Sequence, residues 1–157
     1  GYLSLLKDKN YILLLEPGRY IVGNAGILVT KVLYFKDSGK KKFIIVDAGM
    51  TELIRPLLYD AYHEILPIKK KDGKKIIADV VGPICESADY FAQGRILPAC
   101  KPDELLAVLC VGAYGFSMSS TYNSRPRVAE VLVDGENWEI IHKRESYADL
   151  IRREKTT

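Results

Sequence analysis

Tyr11-Ile12-Leu13-Leu14-Leu15-Glu16-Pro17-Gly18-Arg19, followed by Ile27-Leu28-Val29-Thr30-Lys31-Val32-Leu33-Tyr34-Phe35-Lys36, is the stretch that decides the fold. The first run is continuously apolar and stops at a Pro-Gly turn. It reads as a strand buried on both faces, the habit of parallel sheets. Residues 20–26 read as a short helix whose small residues, Gly23, Ala25 and Gly26, permit close packing. From Ile27 onward the character changes. Residues 27–36 and 43–47 are rich in Val, Ile, Tyr and Phe and read as a hairpin turning at Asp37-Ser38-Gly39. A lone parallel strand needs neighbours, and nothing downstream supplies one. The reading is a mainly β body over residues 27–157, with residues 1–26 as the tail of a larger α/β domain.

Outward from there, residues 51–63 hold a short helix limited by Pro56. Strands are expected at 76–81, 105–111 and 127–133. Val131-Leu132-Val133-Asp134-Gly135-Glu136-Asn137-Trp138-Glu139-Ile140-Ile141 is a second hairpin signal, turning at Asp134-Gly135. Residues 146–154 read as an amphipathic terminal helix with Tyr147, Leu150 and Ile151 on one face. There is no internal repeat and no low-complexity segment.

The chain has 157 residues, 48% hydrophobic and 27% charged, with a formal net charge of +3. These values describe one soluble globular domain. No apolar run approaches the ~20 residues that span a bilayer, so no membrane association is expected. The lysine clusters 40–42 and 69–75 flank turn signals and lack interleaved aromatics, so no nucleic-acid surface is expected. Cys85, Cys100 and Cys110 form an odd set without repeated spacing, which fits a reducing cytoplasm better than a disulfide framework. His63 and His142 are not in metal-ligand spacing with a cysteine, so no metal site is expected. Cys110 is expected in the core, Cys100 in loop packing and Trp138 in packing on a hairpin; neither histidine has an assigned role. Gly1-Tyr2-Leu3-Ser4-Leu5-Leu6 has neither a basic leader nor an initiator Met, which sets the expectation of a piece of a longer protein without a signal peptide.

Four motifs carry chemistry. In Glu16-Pro17-Gly18-Arg19, a carboxylate stands at a strand end, a glycine permits close backbone approach, and a guanidinium follows at a helix start, an arrangement that suits an anion. The same residues also suit a plain strand-to-helix turn with a surface ion pair. In Met50-Thr51-Glu52-Leu53-Ile54-Arg55-Pro56-Leu57-Leu58-Tyr59, one helical turn puts Arg55 and Tyr59 on one face, where they could grip a carboxylate. Taken alone, an exposed Arg beside a packed Tyr is the favoured account of them. Gly82-Pro83-Ile84-Cys85-Glu86-Ser87-Ala88-Asp89 places a thiol and a carboxylate side by side on a strand-end loop. Gly112-Ala113-Tyr114-Gly115 brackets a tyrosine with glycines after the apolar run 105–111, and also suits an ordinary loop.

Together with Asp47-Ala48-Gly49-Met50, this ordered series resembles the C-terminal part of the diaminopimelate decarboxylases. That family lies in the alanine-racemase-like class of pyridoxal-phosphate (PLP) decarboxylases. The resemblance runs from about Tyr11 to Leu150. It implies a Greek-key-like β-barrel domain preceded by the last strand and helix of a PLP-carrying (β/α)8 barrel, in a homodimer with active sites shared between subunits.

The resemblance also implies roles. Glu16 matches the carboxylate facing the pyridine nitrogen, and a negative charge there keeps that nitrogen protonated. Gly18 and Arg19 match cofactor-phosphate and substrate contacts, and Tyr114 matches the tyrosine that touches both PLP and substrate. Arg55 and Tyr59 match the residues at the far end of the substrate. Cys85 matches the proton donor and Glu86 a substrate contact, both supplied to the partner's cofactor. An unperturbed thiol, with a pKa of about 8.5, holds its proton at neutral pH and can give it up. For meso-diaminopimelate, Arg55 suits the distal carboxylate and Glu86 the distal ammonium. Ornithine and related diamine-forming decarboxylases act on substrates with no distal carboxylate. Alternatives are another decarboxylase of the class (ornithine, arginine or carboxynorspermidine type) or a non-catalytic relative acting as a binding protein. The family's Schiff-base lysine has no counterpart here, and neither has the first strand of its β domain, so the chain alone is expected to be inactive.

Overall fold

A computed structural model describes residues 10–155 together with Ser4, Leu6 and Lys7. The strands are β1 (Leu28–Asp37), β2 (Lys42–Val46), β3 (Ile65–Pro67), β4 (Lys75–Val81), β5 (Tyr90–Pro98), β6 (Leu105–Val108), β7 (Glu130–Asp134) and β8 (Asn137–His142). Two short helices, α1 (Arg55–Tyr59) and α2 (Tyr147–Ile151), complete the regular structure. Strands β3-β6-β1-β2-β4-β5 form one six-stranded sheet, and β7-β8 a separate hairpin. In the large sheet β5 returns against β3, so the sheet curls into a nearly closed barrel.

Alternation along the strands sets this shape. Thr30 and Val32 of β1, Ile44 and Val46 of β2, Ile76, Ala78 and Val80 of β4, and Leu106 and Val108 of β6 point inward and are buried. All of these but Thr30 join Phe91 and Leu97 of β5 in one apolar core. Side chains two apart share a face, so one register commits each strand's apolar set to the interior. The long β1 serves both halves of the sheet. Residues 28–31 pair with β6 and residues 32–37 with β2, both antiparallel. Pairing of β2 with β4 is parallel, in a sheet whose other pairings are antiparallel. The 28 residues between them, 47–74, include α1 and β3, a crossover long enough for parallel neighbours.

Several other expectations are corrected. Residues 11–15 form no strand; Ile12 and Leu14 are exposed, at 90% and 85%. No neighbouring strand is present among the described residues to satisfy the backbone of such a run. Residues 20–26 form turns and a single 3₁₀ turn at Gly23–Ala25 instead of a helix. Strands β3 and β5 were not anticipated, and β6 ends at Val108 instead of 111. Cys110 is not a core residue: it is half-buried with a left-handed φ of 60°, and its thiol donates to Asn24 Oδ1 at 3.0 Å. Trp138 is 68% exposed, and Tyr147 and Ile151 of α2 are also exposed, so neither the hairpin nor α2 is packed into the core. The hairpin is tied down by Arg127, which pairs with Glu145 at 3.1 Å and donates to Ser119, and by Phe116 edge-on to His142. No helix among the described residues is long and apolar enough to cross a membrane.

Candidate active site

Helix α1 carries Pro56 in its first turn, where the missing N–H and fixed φ are tolerated, and is capped by Asp60 in the left-handed region with φ 50°. One turn therefore separates Arg55 from Tyr59, as the spacing predicted. The Arg55 guanidinium carbon lies 5.4 Å from the Tyr59 ring centroid and 5.8 Å from that of Tyr114. Both are cation–π distances. Tyr114 reaches this position with a left-handed φ of 60°, a conformation costing roughly 1–2 kcal/mol for a residue with a Cβ.

Glycine is needed where the N-terminal segment meets the Tyr114 loop. A Cβ on Gly18 would stand 3.2 Å from the Tyr114 hydroxyl. A Cβ on Gly112 would fall 2.0 Å from the Val22 carbonyl oxygen. Val111 N–H donates to Gly26 O and Gly112 N–H to Gly23 O, each at 3.0 Å. Arg19 Nη2 donates to Cys110 O at 3.4 Å, while Nε of Arg19 and Nε of Arg55 are buried without a partner among the described residues. Two guanidinium groups with unpartnered Nε atoms, beside a hydroxyl and a bare glycine backbone, are chemically suited to an anionic ligand.

Cys85 and Glu86 lie elsewhere, on the loop joining β4 to β5, and both are exposed. This loop is built around Asp89, which sequence reasoning passed over as the last letter of the motif. Asp89 is 4% exposed and accepts from Ile84 N–H at 2.7 Å and Met50 N–H at 2.6 Å. Burial pushes its carboxyl above the ordinary range against the pull of those two amides. A Cβ on Gly82 would fall 2.3 Å from the Asp89 carboxylate, and one on Gly49 2.9 Å. Upstream, Asp47 accepts from Thr30 Oγ1 and Lys31 N–H, and Glu52 from Gly49 N–H and Thr51 Oγ1. Arg125 bridges the two, donating to Asp47 O at 2.8 Å and approaching Glu52 to 3.6 Å. The Asp47–Met50 motif is thus a hub joining β1, the Cys85 loop and the start of α1.

The structure brings Gly18, Arg19, Arg55, Tyr59 and Tyr114 into one region. Glu16 is exposed, and no hydrogen bond or ion pair joins it, Cys85 or Glu86 to that group among the described residues. No group of three or more His, Cys, Asp or Glu among the described residues could hold a metal ion.

Comparison with known proteins agrees with this architecture. The chain is 56% identical to a diaminopimelate decarboxylase of Aquifex aeolicus over 144 residues, 92% of this chain but 34% of that protein. It is similar in structure to a diaminopimelate decarboxylase of M. jannaschii in co-complex with L-lysine, with TM-score 0.87 and 39% identity over 99% of this chain and 36% of that one. A Helicobacter pylori diaminopimelate decarboxylase complexed with L-lysine matches with TM-score 0.83 and 44% identity, over 96% of this chain and 37% of that one. The chain thus spans about a third of the length of these relatives. Residues 19–112, which hold the whole six-stranded sheet, match the family described as pyridoxal-dependent decarboxylase, C-terminal sheet domain, and the chain belongs to that family.

Proposed function

We propose that this chain is the C-terminal portion of a cytoplasmic PLP-dependent carboxy-lyase that converts meso-2,6-diaminopimelate to L-lysine and CO2, the final step of lysine biosynthesis. Residues 1–26 are then the remnant of the PLP-carrying (β/α)8 barrel and residues 27–157 the β domain. The observation that carries the reading is Arg55 with its guanidinium over the rings of Tyr59 and Tyr114 and its Nε still unpartnered. Such a group is held in place and keeps a donor for a ligand carboxylate. Similarity to diaminopimelate decarboxylases supports the same substrate.

The site residues fit PLP. Gly18 backbone, Arg19 and Tyr114 would hold it, with Glu16 toward its ring nitrogen. When bound, PLP supplies a sink for the electron pair left as the carboxylate departs. This chain's residues contribute substrate binding and a proton. Arg55 and Tyr59 bind the distal carboxylate, Glu86 takes the distal ammonium, and Cys85 Sγ gives a proton to the substrate carbon that has lost CO2. In the proposed homodimer, Cys85 and Glu86 serve the partner's site, which accords with their exposure on a loop apart from Arg55.

In the intact protein, Cys85→Ala should lower kcat at least about 100-fold while PLP still binds; near-normal turnover refutes the proton-donor role. Arg55→Ala should raise KM for diaminopimelate about 10- to 100-fold, the worth of a charge-assisted hydrogen bond. The same change should have little effect on an amino acid lacking a distal carboxylate; equal effects on both refute the specificity.

A further inference from the structure

His63 is a buried titratable group that the proposed chemistry does not use. It stands just after α1 and is 1% exposed. Its Nδ1 lies 2.8 Å from Leu109 O, and its Nε2 is buried without a partner among the described residues. A carbonyl only accepts, so Nδ1 carries the hydrogen and Nε2 a lone pair. Burial holds the imidazole below its ordinary basicity, and the guanidinium groups of Arg19, Arg55 and Arg95 add to this against the opposing pull of the Leu109 bond. The ring is therefore neutral and fixed in one tautomer.

Its surroundings are fixed too. Arg95 donates to His63 O at 2.9 Å and lies over the Tyr62 ring at 4.1 Å, while Leu109 N–H donates to Glu64 O at 2.8 Å. Leu109 is the root of the loop carrying Tyr114. Cys110 and Tyr114 in that loop both have φ 60°, which residues with a Cβ adopt only when other contacts hold them. On the N-terminal side, Arg19, Gly23 and Gly26 supply such contacts. On the α1 side, the side-chain tie is His63.

We propose that His63 is a positioning residue: by fastening Leu109 O to the chain leaving α1, it sets Tyr114 against Arg55 and so aligns the cofactor end of the site with the substrate end. This rests on the reading of Arg55 and Tyr114 given above. His63→Asn can keep an amide donor near the Nδ1 position. His63→Gln keeps a polar atom near Nε2 and loses the donor at Nδ1.

In the intact protein, His63→Gln should raise both the Kd for PLP, followed by absorbance titration, and the KM for diaminopimelate about tenfold, with kcat changed much less. His63→Asn should stay within about threefold of the unsubstituted protein in both. Equal impairment of the two variants, or none in either, overturns the proposal. Should a variant fail to fold, the tautomer decides. Nitrogen-15 shifts of His63 in the unsubstituted protein must report Nδ1–H, and an Nε2–H ring overturns the tie. If the unsubstituted protein does not turn over diaminopimelate, the functional reading fails, and the PLP titration still decides the role of His63.

Discussion

Asp89 shows how one buried side chain can set the course of a loop that carries exposed ones. Its two oxygens receive amides from Ile84, beside Cys85, and from Met50, 39 residues earlier in the chain. An amide in place of the carboxylate would turn an NH2 toward one of those N–H groups. Asp89→Asn should therefore destabilise the intact protein by about 1–3 kcal/mol, the cost of a buried unsatisfied group. Turnover should fall with PLP affinity retained, as urea unfolding and PLP titration would show; unchanged stability and turnover would remove Asp89 from the scaffold. The adjacency of Cys85 and Glu86 and the one-turn spacing of Arg55 and Tyr59 were legible in the sequence because both are local. Asp89 and His63 were not legible. Their partners, Met50 and Leu109, are distant in sequence, and only the folded sheet brings them together.

Elements whose signal is local were read correctly, and those that depend on partners were not. The inner part of β1 and most of β2 alternate buried with less buried residues, and β2, β4 and β8 each follow an Asp-Gly or Asp-Ser-Gly turn signal. Strand β5 hides its pattern because Gly94 sits in it with φ 57° and the β4–β5 register shifts opposite. The irregularity has a cause: buried Asp79 accepts from Gly94 N–H at 2.6 Å and pairs with Lys41 at 3.1 Å. The run at 11–15 misled for the opposite reason, since its strand pattern has no strand beside it to pair with. Glycines separate the two kinds of loop. Gly112 has the Val22 carbonyl where a Cβ would stand, whereas Gly73, between β3 and β4, has nothing within 4 Å. Gly112→Ala should cost about 1–3 kcal/mol through overpacking against rigid backbone and should also weaken PLP binding. Gly73→Ala should be neutral or stabilise by a few tenths of a kcal/mol. Thermal unfolding of the two variants side by side checks this; equal midpoints would mean that the 19–26 segment is not held against the Tyr114 loop.

At the scale of the molecule, exposed apolar groups and split chemistry point the same way. Ile12, Leu14, Leu15 and Tyr20 are at least 75% exposed, and Ile77 and Ile96 on the outer face of the sheet are 63% exposed. Exposed apolar groups of this kind suit contact with further protein, which the proposed barrel and partner subunit would supply. The proposed proton donor, Cys85, also lies apart from the proposed substrate grip, Arg55, an arrangement that would be productive if each subunit completed its neighbour's site. Complementation tests this directly. Cys85→Ala and Arg55→Ala proteins, each nearly inactive below substrate saturation, would be mixed, dissociated and reassembled. If Cys85 serves the partner's site, each heterodimer regains one site with both residues intact, and random pairing restores about a quarter of unsubstituted activity. If Cys85 serves its own subunit, every site in every dimer lacks one residue or the other, and mixing restores nothing. The second outcome would confine the whole site to one chain and leave the exposure of the Cys85 loop without a catalytic explanation.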